Sequence, residues 1–189
     1  MLAVVALAGM ALNCAPDRTF GAFDPPEFPQ FGAAVKEYTK LVDRLDKDLG
    51  RLPDRAEPEQ INQHRSALAD AVRKTRAGAK QGDIFIAGEQ PAFRQILRSE
   101  TAGREGAPAR KAIKDDNPKG NSEGHPTPPV ALAVNGPYPD GAPRSTVPPT
   151  MLLRLPKLPE GVEFRFVGKA LILYDARANL IVDFIPNAL

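Results

Sequence analysis

The sequence predicts an α+β protein: an N-terminal helical hairpin with a short third helix, a Pro/Gly-rich linker, and a small C-terminal antiparallel β-meander. Three observations carry that expectation. Residues 162–185 read VEFRFVGKALILYDARANLIVDFI, three runs rich in β-branched and aromatic side chains separated by turn chemistry. Residues 31–49 place apolar side chains at alternating four- and three-residue steps, the period of a helix with one buried face. Between these parts, residues 102–150 hold ten of the chain's 20 prolines and six of its 15 glycines. Over most of such a segment, burial cannot offset the entropy of ordering.

Taken from the start, residues 1–15 (MLAVVALAGMALNCA) are apolar apart from Asn13 and too short to span a bilayer, which reads as the apolar region of a signal peptide. No Lys or Arg precedes this run. The alternative is a buried N-terminal helix. Cys14 is the single cysteine, so the chain has no disulfide framework and no thiolate cluster. It closes an apolar run as the lipidated cysteine of a bacterial lipoprotein does, although Asn13 stands where a small residue is expected; the competing reading is removal with the signal peptide.

Residues 16–30 contain four prolines and no periodicity, an extended spacer. The first helix then shows Phe31, Val35, Tyr38, Val42, Leu45 and Leu49 on one stripe, with Gly50 as its stop and Pro53 preventing continuation. A second helix begins near Pro58, with Ile61, His64, Leu68, Ala71, Val72 and Thr75 inward. The short connection makes the two an antiparallel hairpin. Arg73, Lys74, Arg76 and Lys80 crowd the end of the second helix; a solvated helix terminus is favoured over a polyanion site, because cations suit the negative end of the helix dipole. Ile84, Phe85 and Ile86 form an apolar anchor, and a third helix starting at Gln90-Pro91 turns Phe93, Ile96 and Leu97 to one face. The organisation is a signal peptide (1–15), a spacer (16–30), a helical region (31–100), a flexible linker (101–128) and a β module (129–189) that opens with a short strand at 130–134. A helical turn near 149–154, exposing Met151, Leu152 and Leu153, gives the meander local cover.

Within the meander, Gly168-Lys169 makes a two-residue turn and residues 176–179 a four-residue loop in which Asn179 tolerates the left-handed conformation. Those turns set Phe166 against Leu171, Leu171 against Phe184, Phe164 against Leu173, and Leu173 against Val182, one apolar core face. The opposite face carries Glu163, Arg165, Ile172, Tyr174, Ile181 and Asp183: an apolar centre with a charged rim. Arg165, Ile172, Tyr174, Ile181 and Asp183 are therefore the candidate partner-binding residues, against the alternative that the chain itself covers them.

Other chemistry is sparse. His64 lies on a helical stripe as a hydrogen-bonded core or rim histidine, and His125 sits in the linker; neither belongs to a metal-ligand spacing, so no cofactor or metal is expected. The sequence has no nucleophile elbow, P-loop or dinucleotide fingerprint. Asp115 and Asp116 fall in linker, while the register turns Asp175 and Asp183 to opposite faces, so an acid–base pair lacks a scaffold. A net charge of +2 is too small to imply nucleic acid or an anionic membrane. Any membrane attachment runs through the N-terminus.

The runs 164–168, 171–175 and 178–183 resemble the C-terminus of uncharacterised exported bacterial proteins that end in an FRFVG, LILYD, LIVDFI-type meander; residues 76–85 are a second point of likeness. More distantly, the closing hairpin is similar to that of periplasmic nickel and cobalt homeostasis proteins, although histidine clusters are lacking. The resemblance implies export to the periplasm or cell envelope and supplies no activity. The functional expectation is a non-enzymatic module that binds a protein or another envelope component, with an envelope enzyme and a metal-homeostasis accessory as alternatives. N-terminal sequencing of protein recovered from a bacterial envelope is expected to begin at or just after Cys14; an intact Met1 would overturn export with processing.

Overall fold

A computed structural model describes residues 28–53, 55–115 and 130–189. The expected signal peptide, Cys14, most of the spacer and the linker portion 116–128 lie outside the described residues. Helix α1 (Pro29–Leu49) and helix α2 (Pro58–Thr75) form the expected hairpin. Prolines open both helices, where the missing N–H costs nothing, and Gln60 accepts the Glu57 N–H at 2.9 Å to close the first turn of α2. Helix α3 (Gln90–Thr101) follows. Helix α4 (Ala107–Asp115) stands where flexible linker was expected: APARKAIKD buries Ile113, and this single apolar anchor is enough to seat one short amphipathic segment beside α3.

The sheet has strand order β1-β4-β3-β2, with β1 (Gly136–Pro137), β2 (Val162–Val167), β3 (Ala170–Asp175) and β4 (Leu180–Ile185), all pairs antiparallel. The three long strands are the expected meander, with both turns in place: Gly168 at φ 59° and Asn179 at φ 52° supply the left-handed residues. The expected strand at 130–134 is absent; the pairing occurs just beyond it, at Gly136–Pro137, where Tyr138 N–H also donates to the Asn179 carbonyl at 3.0 Å. A short helix α5 (Pro149–Leu152) matches the expected turn, but Met151 is fully buried while Leu152 and Leu153 remain exposed.

The register of β2 on β3 is as expected, with Phe166 opposite Leu171 and Phe164 opposite Leu173. That of β3 on β4 is corrected by a bulge. Tyr174 faces Ile181, but Leu173 faces Asp183 and Leu171 faces Ile185, so Val182 is the extra residue. Beyond it every side chain changes sides relative to the strict alternation. Asp183 turns to the helical face, and Phe184 leaves that face for the opposite one.

The helices cover the first face. Phe31, Phe85, Phe93 and Phe164 form one aromatic cluster, with Phe31 stacked on Phe85 at 5.2 Å and on Phe164 at 5.9 Å, and Phe85 edge-on to Phe93 at 5.2 Å. Helical region and meander thus share one core. On the second face, residues 130–142 fold back: Tyr138 meets Tyr174 edge-on at 5.4 Å, beside Ala142, Ile172 and Ile181. Truncating either side should therefore cost the same order of stability. Phe166→Ala and Tyr174→Ala are each expected to lose about 3–5 kcal/mol in chemical denaturation, the range for buried aromatics. A Tyr174→Ala variant as stable as the parent would mean that this face is not core.

Candidate functional site

The residues expected to form a partner face are not brought together as a free surface. Ile172, Tyr174 and Ile181 are buried beneath the chain's own 130–142 segment, Tyr174 being only 1% exposed. Asp183 is on the other face. Arg165 stays at the margin, where its guanidinium donates to Glu163 Oε2 at 2.9 and 2.5 Å and to the Ser145 carbonyl at 3.3 Å. The reason is compositional: Val130, Tyr138 and Ala142 supply an apolar strip within the Pro-rich stretch that opens the β module.

The buried carboxylates are structural in their bonding. Asp183 accepts from the backbone N–H groups of Gly82 (3.0 Å), Ile84 (2.9 Å) and Phe85 (2.8 Å), and from its neighbour Phe184 (2.8 Å). Asp175, expected on the opposite face from Asp183, shares its face because of the bulge. Its Oδ2 accepts the Tyr38 hydroxyl at 2.7 Å, and its Oδ1 accepts the N–H groups of Arg177 (2.8 Å) and Ala178 (3.2 Å), an Asx turn that shapes the β3–β4 loop. Arg76, expected to be solvated, lies over the Tyr38 ring at 5.1 Å and donates to Asn135 Oδ1 at 2.5 Å. Burial pulls its pKa below the ordinary value, against the charges of Tyr38, Asp183 and Asp83.

This network reaches the surface at the connected end of the α1–α2 hairpin, in a cleft of about 840 Å³. Its apolar floor is Leu52, Ile61 and Leu68. Its rim holds two acid–base pairs: Arg177 Nη1 donates to Asp43 Oδ1 at 2.6 Å, and His64 Nε2 lies 2.6 Å from Asp46 Oδ1. Burial alone would lower the Arg177 pKa, but the hydrogen bond to Asp43 and the charges of Asp175 and Asp43 outweigh it and raise it. Lys47, Arg51 and Arg65 complete the rim, so four permanent cations, Arg177 included, face two carboxylates. Among the described residues no Ser, Thr or Cys lines the cleft beside the His64–Asp46 pair. A larger groove, about 1030 Å³ between the α3–α4 turn and residues 146–150, is walled mainly by Ala, Gly and Pro and offers less convergent chemistry. Among the described residues no three His, Cys, Asp or Glu side chains converge as metal ligands, and no helix is long and apolar enough to cross a membrane.

Sequence periodicity placed His64 correctly as a hydrogen-bonded rim histidine. It missed Tyr38, Asp43, Asp46 and Arg177 as one cluster, because a helical wheel assigns a face but not a partner such as Arg177, 134 positions from Asp43. The one local signal was Asp175 at the head of a four-residue loop, a position that favours an Asx turn. Comparison of the chain with protein-family models, with curated proteins and with solved structures finds no match.

All three tyrosines have raised pKa values, each first through burial: Tyr38 next through the Asp175 carboxylate, Tyr138 through Tyr174, while Arg144 partly opposes the shift at Tyr174. A phenol whose folded pKa is raised keeps its proton where the unfolded chain has lost it. Its contribution to stability is complete below about pH 10 and is lost as pH rises beyond that. Tyrosinate absorbance is therefore expected to appear together with loss of the far-ultraviolet circular dichroism, and Tyr38→Phe should flatten the alkaline fall in stability. Phenols titrating near pH 10 in a protein that stays folded would contradict the buried placement.

Proposed function

We propose that the chain is a non-enzymatic recognition module of the bacterial cell envelope, exported through its N-terminal segment and held at the membrane, if at all, only there, at Cys14. The observation that carries this reading is the α1–α2 cleft: an apolar floor with Ile61 47% exposed, a surplus of cations on the rim, and acid–base pairs that fix the geometry without serving a nucleophile. Apolar centre and charged rim are the anatomy of a contact surface. The partner is an envelope protein or another envelope component with an acidic, partly apolar contact patch. The meander's resemblance to exported proteins points to the same compartment.

A photo-crosslinking side chain at Ile61, in protein expressed in a bacterial envelope, is expected to yield a discrete adduct that Arg65→Glu diminishes. The same probe at Lys111, on α4, should not yield it. If instead purified protein turns over ester, peptide or glycoside substrates and His64→Ala abolishes that turnover, the cleft is an enzyme's site and the proposal fails.

A further inference from the structure

A second surface, separate from the cleft, lies along the outer edge of β2. In this strand the odd-numbered residues direct their main-chain N–H and C=O groups to β3: the two-residue turn at Gly168-Lys169 joins Val167 to Ala170, and Ala176 N–H donates to the Gly161 carbonyl at 2.8 Å. The backbone groups of Val162, Phe164 and Phe166 therefore point outward. The chain closes both ends of that edge itself. Ser145 Oγ accepts the Phe166 N–H and donates to the Phe166 carbonyl, both at 2.7 Å, and the Pro159 carbonyl accepts the Val162 N–H at 3.3 Å. Between them, Phe164 N–H and C=O have no partner among the described residues, although Phe164 is only 5% exposed.

That pair opens into a groove of about 500 Å³ with apolar walls from Val147, Leu152 and Leu158. Leu153, next to Leu152 in the chain, is 84% exposed. On the rim, Glu163 is taken up by Arg165, whereas Lys157 is exposed and has no ion-pair partner among the described residues. An unpaired donor and acceptor on one residue call for a ligand that presents both at backbone spacing, which an extended peptide does.

We propose that this groove docks a short extended peptide segment of a partner protein. One peptide residue exchanges both main-chain hydrogen bonds with Phe164, an aliphatic side chain lies against Leu152 and Leu158, and a carboxylate meets Lys157. The window is short, because Ser145 takes up both groups of Phe166 and Pro159 takes up the Val162 N–H. For the same reason a second copy of this chain is a poor occupant: its own β2 edge is shut in the same way, and two shut edges cannot approach. The contact is short and its affinity modest, suited to a reversible tether.

The test is an amide NMR titration of the full chain with a position-scanned pool of N-acetylated, C-amidated hexapeptides that carry one aliphatic and one acidic residue on a Thr background. A saturable shift at Phe164 is expected, with slowed hydrogen exchange of its N–H. N-methylation of the pairing residue of the best peptide should weaken binding about tenfold, the effect of losing one hydrogen bond. Lys157→Glu should weaken it and restore it for the peptide with Lys in place of the acid. Leu152→Asp, at an exposed position, should abolish it with unchanged thermal melting. No shift at Phe164 at millimolar peptide, equal binding of the N-methylated peptide, or a Phe164 shift that tracks protein concentration without peptide would each overturn the proposal.

Discussion

Asp183 is the point on which the fold is hung. Its carboxylate is wholly buried, a placement that is costly unless the charge is well hydrogen-bonded. Three backbone N–H groups of the turn before α3 meet that need, and charge-assisted bonds of this kind are stronger than neutral ones. The consequence is positional. The turn fixed by Asp183 carries Phe85 into the aromatic cluster, and Gln90 Nε2 donates to the Phe85 carbonyl at 2.7 Å, tying the turn to α3. Glu89, beside Gln90, accepts the N–H groups of Gln30 (2.9 Å) and Phe31 (2.8 Å) and so satisfies the start of α1. Further along α1, Tyr38 reaches back to Asp175 on the sheet. Sheet, turn and helices are closed into one loop of polar contacts around an apolar centre.

What was legible in the sequence was what local rules govern. The 3.6-residue stripe of α1 gave its buried face, since Phe31, Val35, Tyr38 and Val42 are all inside. The alternation of 162–175 gave the pairing of β2 with β3, because Gly168 fixes a turn of known length. The bulge was not legible, and one extra residue reversed the roles of Asp183 and Phe184. An isolated strand sequence contains nothing to show that a carboxylate will find three amides from a turn far upstream. The cleft was legible only in part, through His64 on its helical stripe. The cover of the second face was hidden by composition, since prolines dominate the segment that holds Val130, Tyr138 and Ala142.

The cleft and the β2 edge differ in kind. The cleft is shaped by side chains that have already found each other, and what it presents is shape and residual positive charge. The β2 edge is shaped by backbone groups, of which those of Phe164 have no partner among the described residues. Ser145 has the opposite role there, protecting the sheet margin: a single hydroxyl serves one donor and one acceptor that would otherwise invite pairing with any exposed strand.

The Tyr38–Asp175 bond joins positions 137 apart in the chain, and Asp183 reaches back 99 positions to Ile84. Contacts of such span are made against the entropy of closing long loops, which slows folding relative to a protein held by neighbours in sequence. The helices precede the strands that anchor them, so α1 and α2 can form as a hairpin while their final fastenings are still missing. Until β3 and β4 arrive, the Phe31, Phe85 and Phe93 rings have no sheet to rest on. Any helix that forms before β3 and β4 has an open apolar face, with the aggregation hazard that exposed apolar surface carries during folding.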